Sequence, residues 1–188
     1  RATKISGSGF YFLKGNLAML DLALQRFALD TIIAKGYTPV IPPYMINRKS
    51  YEEVTDLADF EKVMYKIEDD DAYLIATAEH PMAAMYQDEI FEEKDLPLKM
   101  VGVSPCFRRE IGAHGLDSRG LFRVHQFTKI EQFIYCMPED SWKYHEELLA
   151  NAEEIFTKLE LPYHVVNICT GDIGTVAAKK YDIEAWMP

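Results

Sequence analysis

The sequence predicts an α+β fold, a mostly antiparallel sheet flanked by helices, and three observations predict it. Strand-like stretches follow one another through turns and one long loop rather than alternating strictly with helices. That order favours antiparallel pairing over a parallel, doubly wound sheet. Two long stretches carry apolar side chains at helical spacing, enough to cover a sheet face. No G-x-G-x-x-G and no Walker A run occurs, so a nucleotide, if used, is held by side chains rather than by a glycine-rich loop.

Taken in order, Arg1 to Gly9 reads as a linker entering a domain. Asn16 to Lys35 predicts a helix: Leu17, Leu20, Leu24, Phe27 and Thr31 step by three and four onto one face. Asn16 is placed to cap its start, and Gly36 to end it in the left-handed conformation. Tyr37 to Ile41 is a short strand cut by Pro42 and Pro43, hence an edge strand or a strand end. Ser50-Tyr51-Glu52-Glu53 has capping-box spacing and opens a short acidic helix. Val63 to Ile67, the acidic turn 68–71 and Tyr73 to Thr77 predict a β-hairpin. The acidic run is read as a turn, not a metal site. A helix from about Glu79 to Phe91 follows, with Pro81 tolerated in its first turn.

Met100 to Phe107 is a strand, and 108–120, polar with Gly112, Gly115 and Gly120, is a loop. Leu121 to Cys136, rich in β-branched and aromatic residues, is a long strand. Pro138 to Leu161 is the second long helix, with Trp142, Leu148, Leu149, Ile155, Phe156 and Leu159 near one face. Tyr163 to Ile168 and Tyr181 to Trp186 are the last strands.

Composition narrows the function classes. A chain of 188 residues is one domain at roughly 100–200 residues per domain, and long enough to bury about 70% of its unfolded surface. No apolar run approaches the ~20 residues that span a bilayer, so no membrane partner is expected. Cys106, Cys136 and Cys169 are odd in number and far apart, which argues against a disulfide framework and a clustered zinc site. A reduced, cytoplasmic setting is the expectation. The net charge of −10 argues against a broad grip on nucleic acid by these residues. Arg1 stands first rather than Met, with no signal-peptide pattern after it, so a longer protein is expected.

The chemistry concentrates in 107–131. Phe107-Arg108-Arg109-Glu110 leads into the loop, and Arg123-Val124-His125-Gln126-Phe127-Thr128-Lys129-Ile130-Glu131 leaves it. On regular strands Arg108 and Glu110, two apart, share a face, as do Arg123, Phe127 and Glu131. One sheet face would then present two arginines, two glutamates and a phenylalanine. Arginine pairs bidentately with phosphate or carboxylate, a carboxylate accepts from an amine, and a flat ring stacks on a base. A solvated sheet face laced with cross-strand ion pairs, each contributing at most ~1 kcal/mol, would carry the same residues.

These residues resemble a known family. F-R-R-E followed by R-x-x-x-F resembles motif 2 of class II aminoacyl-tRNA synthetases, and Gly36-Tyr37-x-x-Val40-x-x-Pro43 after a long helix resembles their motif 1. Thr77-Ala78-Glu79, SGSGFYFLKG near the start, the run from Ser104 to Phe133 and TGDIGTVAAKKYDIEAWMP at the end are similar to the seryl enzymes in particular. The resemblance implies a class II synthetase-like fold, incomplete at its C-terminus. It also implies serine activation by ATP to seryl-adenylate, then transfer of the seryl group to tRNA(Ser). It assigns Arg108 to the α-phosphate and the serine carboxylate, Glu110 to the adenine side of ATP, and Phe127 to stacking on adenine, with Val124 close by. Arg109 and Arg123 are counted toward ATP as well. Glu79 and Glu131 are assigned to the serine ammonium and hydroxyl, and Thr77 and Ala78 to the lining of that pocket. Arg108 and Glu110 are the expected catalytic residues.

The resemblance also implies a homodimer through the motif 1 region, shaped by Pro42 and Pro43. The tRNA-binding arm and motif 3 are absent from these residues, so tRNA contact is expected through other parts. Mg2+ ligands are expected mainly beyond residue 188, none within the chain, and these residues alone are expected to be nearly inert. His80 is expected to cap or line the pocket. His125 is expected on the opposite face from Arg108, in a supporting role. A carrier-protein ligase of the same superfamily and a non-catalytic synthetase paralogue acting as a binding subunit are the alternatives. The first is disfavoured by the Thr-Ala-Glu run without a cysteine ligand set, the second by intact Arg108, Glu110, Glu79 and Glu131.

Overall fold

A computed structural model describes residues 1–56, 61–110 and 123–187. They form two compact units, Arg1–Ile90 with Lys99–Phe133, and Phe91–Leu98 with Ile134–Pro188. The architecture is α+β, as expected.

In the first unit, a short helix α1 (Thr3–Ser6) occupies the stretch read as a linker, and Ala2 beside it is buried. Helix α2 (Asn16–Ile33) follows. Its N-cap is Gly15 and not Asn16, which is already helical. Its end is as read: Gly36 has φ 88°, the left-handed value glycine adopts without strain. The stripe predicted to be buried is not: Leu17 and Leu20 are 62% and 55% exposed, and only Ile32 of the helix is buried. Periodicity identifies the apolar face, but what covers a face is a tertiary matter.

Strand β1 (Thr38–Val40) lies at the edge of a three-stranded sheet ordered β1, β4 (Leu98–Phe107), β5 (Gln126–Tyr135). It pairs with β4 in parallel, Thr38 opposite Met100, which departs from an all-antiparallel pattern. The long excursion between them supplies the crossover that parallel pairing needs. Arg108, just past β4, donates its N–H to the carbonyl of His125, just before β5, at 2.9 Å. The end of one strand thus meets the start of the next, the antiparallel arrangement.

Strand β2 (Met45–Asn47) pairs antiparallel with β3 (Ala72–Leu74). The predicted hairpin is a bridge between Lys66 and Tyr73 flanked by hydrogen bonds from Ile67 N–H to Ala72 C=O and from Leu74 N–H to Tyr65 C=O, both 2.9 Å, and Glu61–Val63 before it is a 3-10 turn. The acidic run is a turn whose Asp71 meets Arg48 at 3.2 Å. Helix α3 (Arg48–Val54) starts earlier than the capping box implied: Asn47 Oδ1 accepts from Ser50 N–H at 2.8 Å and takes the cap. Helix α4 (Glu79–Ala84) is shorter than expected. Against its buried Met82 lies Gly102 of strand β4, where a Cβ would lie 2.9 Å from Met82 Sδ and 3.1 Å from Ala78 Cβ. That close approach fixes the turn Thr77-Ala78 over the sheet. Ile46, Tyr51, Met64, Tyr73, Ile75 and Ala76 form the buried cluster beneath it.

Strand β5 begins later than predicted. Residues 123–125 are not strand, and the predicted loop lies mostly, with its three glycines, outside the described residues. In the second unit, a 3-10 turn (Pro138–Asp140) leads into α5 (Ser141–Lys158), followed by the antiparallel pair β6 (Tyr163–Asn167) and β7 (Tyr181–Ala185). Trp142, predicted on the inner face of α5, is exposed, whereas Tyr144 and Asn151 are buried. Tyr163 O–H donates to Glu153 at 3.2 Å, and Lys179 pairs with Glu146 at 2.5 Å.

Tyr51 ties this frame together. Its buried hydroxyl accepts from Ala76 N–H at 3.3 Å and meets His80 Nδ1 at 3.0 Å. Tyr51→Phe strips both groups of their partner and should cost about 1–3 kcal/mol, measured as a lowered urea midpoint at unchanged slope.

Candidate functional site

The site lies within the first unit, where the end of β4, the start of β5 and the turn into α4 meet. Arg108 is held at four points. Its N–H donates to His125 C=O at 2.9 Å, its own C=O accepts from His125 Nδ1–H at 2.9 Å, and its Nε–H donates to Ala76 C=O at 3.2 Å. Its guanidinium carbon stands 5.2 Å from the centre of the Phe127 ring, a cation–π distance. None of these bonds uses its terminal NH2 groups, the fork that pairs with phosphate or carboxylate.

His125 does more than the sequence suggested. Carbonyl oxygens only accept, so the Nδ1 facing Arg108 C=O carries the proton. The Tyr65 hydroxyl oxygen lies 2.9 Å from the same nitrogen, a second acceptor for that proton. Phe10 stacks on the ring, centroids 5.1 Å apart and planes 17° apart, and His125 N–H donates to Gly9 C=O at 2.9 Å. Gly9 has φ 78°, and a Cβ there would sit 2.5 Å from the His125 ring. The glycine is thus required both by its conformation and by the ring pressed against it.

The expected sharing of a face through 108–110 and 123–127 rests on regular strand, and the backbone is not regular there. Glu110 has φ 47° and Arg123 precedes β5. The two side chains meet nonetheless, Arg123 Nη1 donating to Glu110 Oε2 at 2.7 Å. Arg109 is exposed, its N–H donating to Val63 C=O at 2.8 Å. Val124 is half-buried.

Along β5 the alternation is regular, so Phe127, Lys129 and Glu131 share a face. Thr77 O–H donates to Glu131 Oε2 at 2.9 Å, while its oxygen accepts from Lys129 Nζ at 3.0 Å and Glu79 N–H at 3.2 Å. Lys129 also pairs with Glu131 Oε2. Thr77 and Ala78 are buried, and the exposed Glu79 opens α4. The surrounding protein first, and Glu131 second, push the Glu79 carboxyl pKa up, while Lys129 and Arg108 pull it back. Lys129 was missed in the sequence, although the same period of two that selected Phe127 and Glu131 includes it.

The structure therefore brings two half-sites together. One is an arginine on an aromatic ring, suited to an anion beside a flat group. The other is a pair of carboxylates around Thr77, suited to an ammonium and a hydroxyl. The Ala76 carbonyl, one residue before Thr77, joins them. Among the described residues no three His, Cys, Asp or Glu side chains gather to hold a metal ion.

Comparison with known proteins gives consistent results. The family model for the tRNA synthetase class II core domain (G, H, P, S and T) matches residues 63–188. The chain is 93% identical to a serine–tRNA ligase of Methanocorpusculum labreanum, over its whole length and 44% of the relative's. It superposes on a seryl-tRNA synthetase of Pyrococcus horikoshii, complexed with ATP, with a TM-score of 0.96 at 64% identity, covering 100% of this chain and 42% of that one. For the cytoplasmic serine–tRNA ligase of Naegleria fowleri, in complex with AMP, the TM-score is 0.93 at 44% identity, covering 98% and 44%. The chain thus spans less than half the length of these relatives.

His80, packed edge-on to Tyr51, has an acid-stability consequence. Burial first, then the charges of Lys129 and Arg108, push its pKa from 6.5 down to about 4. The folded state then binds fewer protons than the unfolded one. The stability this represents is full above pH 6.5 and is lost as pH falls toward 4. The parent's advantage over His80→Asn should shrink by about 3 kcal/mol across that window, read by denaturant unfolding at both ends. An advantage independent of pH would show that His80 does not titrate on unfolding.

Proposed function

The chain belongs to the class II tRNA synthetase core-domain family, and on that premise we propose that the protein carrying it is a serine–tRNA ligase. The observation that carries this reading is the junction of the two half-sites: Arg108 bonded to Ala76 C=O, and Thr77 next to it bonded to Glu131. An amino acid whose carboxylate faces Arg108 and whose ammonium faces Glu79 and Glu131 is held with its carboxylate toward the nucleotide side.

The first step joins the serine carboxylate to the α-phosphate of ATP and breaks the bond to pyrophosphate, giving seryl-adenylate. Both reacting groups are anions. The guanidinium of Arg108, placed before the reaction by its four contacts, lowers the repulsion and stabilises charge as it develops. Phe127 supports that guanidinium and offers a flat surface on the nucleotide side, and Arg123 steadies Glu110 for contact with the base. The second step moves the seryl group to the terminal ribose hydroxyl of tRNA(Ser), releasing AMP.

The names of the relatives and the ATP and AMP bound to two of them support ATP and serine as substrates. With a net charge of −10, these residues leave the grip on tRNA to other parts of the protein. Mg2+ belongs to the reading through the family. Among the described residues no three His, Cys, Asp or Glu side chains form a donor set for it. Homodimerisation through the motif 1 region is part of the reading too. Its support is the exposed apolar face of α2 and the apolar groove lined by Val40, Ile41, Pro42, Pro43, Met45 and Met85. A cytoplasmic location suits three free cysteines.

The test is ATP–pyrophosphate exchange by the protein at the length of its relatives. Exchange is expected to depend on serine and to prefer it over alanine by about 10⁴-fold, because alanine leaves buried polar groups unpaired. Absence of serine-dependent exchange would refute the assignment. Arg108→Ala should lower kcat about 10²–10³-fold.

A further inference from the structure

Lys129 has no role in the mechanism above, yet it touches Thr77 and one of the two carboxylates of the amino-acid half-site. Its Nζ donates to Thr77 Oγ1 at 3.0 Å and pairs with Glu131. A hydroxyl has one donor and two acceptor positions. Thr77 uses all of them, toward Glu131, Lys129 and the Glu79 N–H. Thr77 is therefore a junction and not a ligand contact, which leaves the Glu79 carboxylate and the second oxygen of Glu131 to receive substrate.

Two carboxylates facing one ammonium carry one negative charge too many. The Lys129 ammonium removes it: two negative groups and one positive leave a net −1, which a single substrate ammonium neutralises. The substrate carboxylate, in turn, meets Arg108. We propose that Lys129 is a positioning residue that sets the charge of the amino-acid pocket, acting through Glu131 and Glu79 to keep it matched to one ammonium group. The inference rests on the aminoacylation reading and deepens it.

The surroundings allow a clean pH test. The groups packed against this pocket are Tyr51 on α3, Glu79 and His80 on α4, Cys106 on β4, Arg108 after it and Glu131 on β5. Tyr51 is pushed up to about 12, chiefly by burial, the Cys106 thiol is raised for the same reason, and His80 lies down at about 4. All three stay neutral near pH 7. The Glu79 carboxylate is what can titrate. Glu79 is already raised by its surroundings and Glu131, and Lys129 opposes that rise. Loss of Lys129 lifts Glu79 further, so a proton held there at lower pH returns the pocket to a net −1, and its loss as pH rises leaves −2.

The experiment compares Lys129→Met and Lys129→Arg with the parent, at the length of the relatives, in serine-dependent pyrophosphate exchange. In K129M the serine KM should rise roughly tenfold at about pH 8.5, where the pair carries both charges, and the ratio to the parent should fall toward one by about pH 6.5. Titration of free serine cancels in that ratio. The ATP KM should stay within about twofold, and K129R should restore most of the loss. If K129M does not fold, as judged by its thermal melt, Lys129→Gln takes its place. A ratio flat with pH, a parallel rise in the ATP KM, or failure of K129R to rescue overturns the proposal. A parent that exchanges other amino acids but not serine refutes the serine reading and leaves the charge-matching test intact with the amino acid it does use. A parent that exchanges none overturns both.

Discussion

Two hydrogen bonds between Arg108 and His125, one from each side of the arginine backbone, are the constraint on which the site depends. They close β4 and β5 at the point where regular pairing stops, and so decide where the arginine side chain leaves the sheet. From that position its Nε reaches Ala76 and its guanidinium covers Phe127. An arginine side chain carries about 2 kcal/mol of rotamer entropy. Contacts made before any ligand arrives remove much of that cost from the binding step.

The second half-site is organised by a neutral group. Thr77 is buried between charged residues, and its one hydroxyl orients Glu131, Lys129 and the first turn of α4 together. Gly102 lets that turn lie close to the sheet, since any side chain there would press on Met82 and Ala78. A packing feature of the core thereby fixes a polar contact at the surface.

Much of this was legible in the sequence, for reasons that differ by element. Helices α2 and α5 and strands β6 and β7 announce themselves by period, within a few residues. Their caps do not: Gly15 and Asn47 replaced Asn16 and Ser50, because a cap depends on where the preceding chain arrives. Site residues came from resemblance more than from spacing. Strand alternation correctly joined Phe127 to Glu131, but it was extended to Glu110 and Arg123, where a left-handed residue and irregular backbone break it. Lys129 was passed over because a lysine on a strand usually reads as a solvated charge. The contact to Thr77, 52 positions away, shows otherwise. The parallel pairing of β1 with β4 was hidden for the same reason, being set by distant parts of the chain.

The contact of Gly9 and Phe10 with His125 has a consequence for where this domain can be cut. By length and composition the first ten residues look like a dispensable lead-in, and a designer swapping modules would join new sequence just ahead of α2. Those residues in fact form one wall of the bracket that holds Arg108. The functional boundary of the module therefore lies upstream of its first long helix, and grafts made at the helix would yield a folded sheet with a loosened arginine.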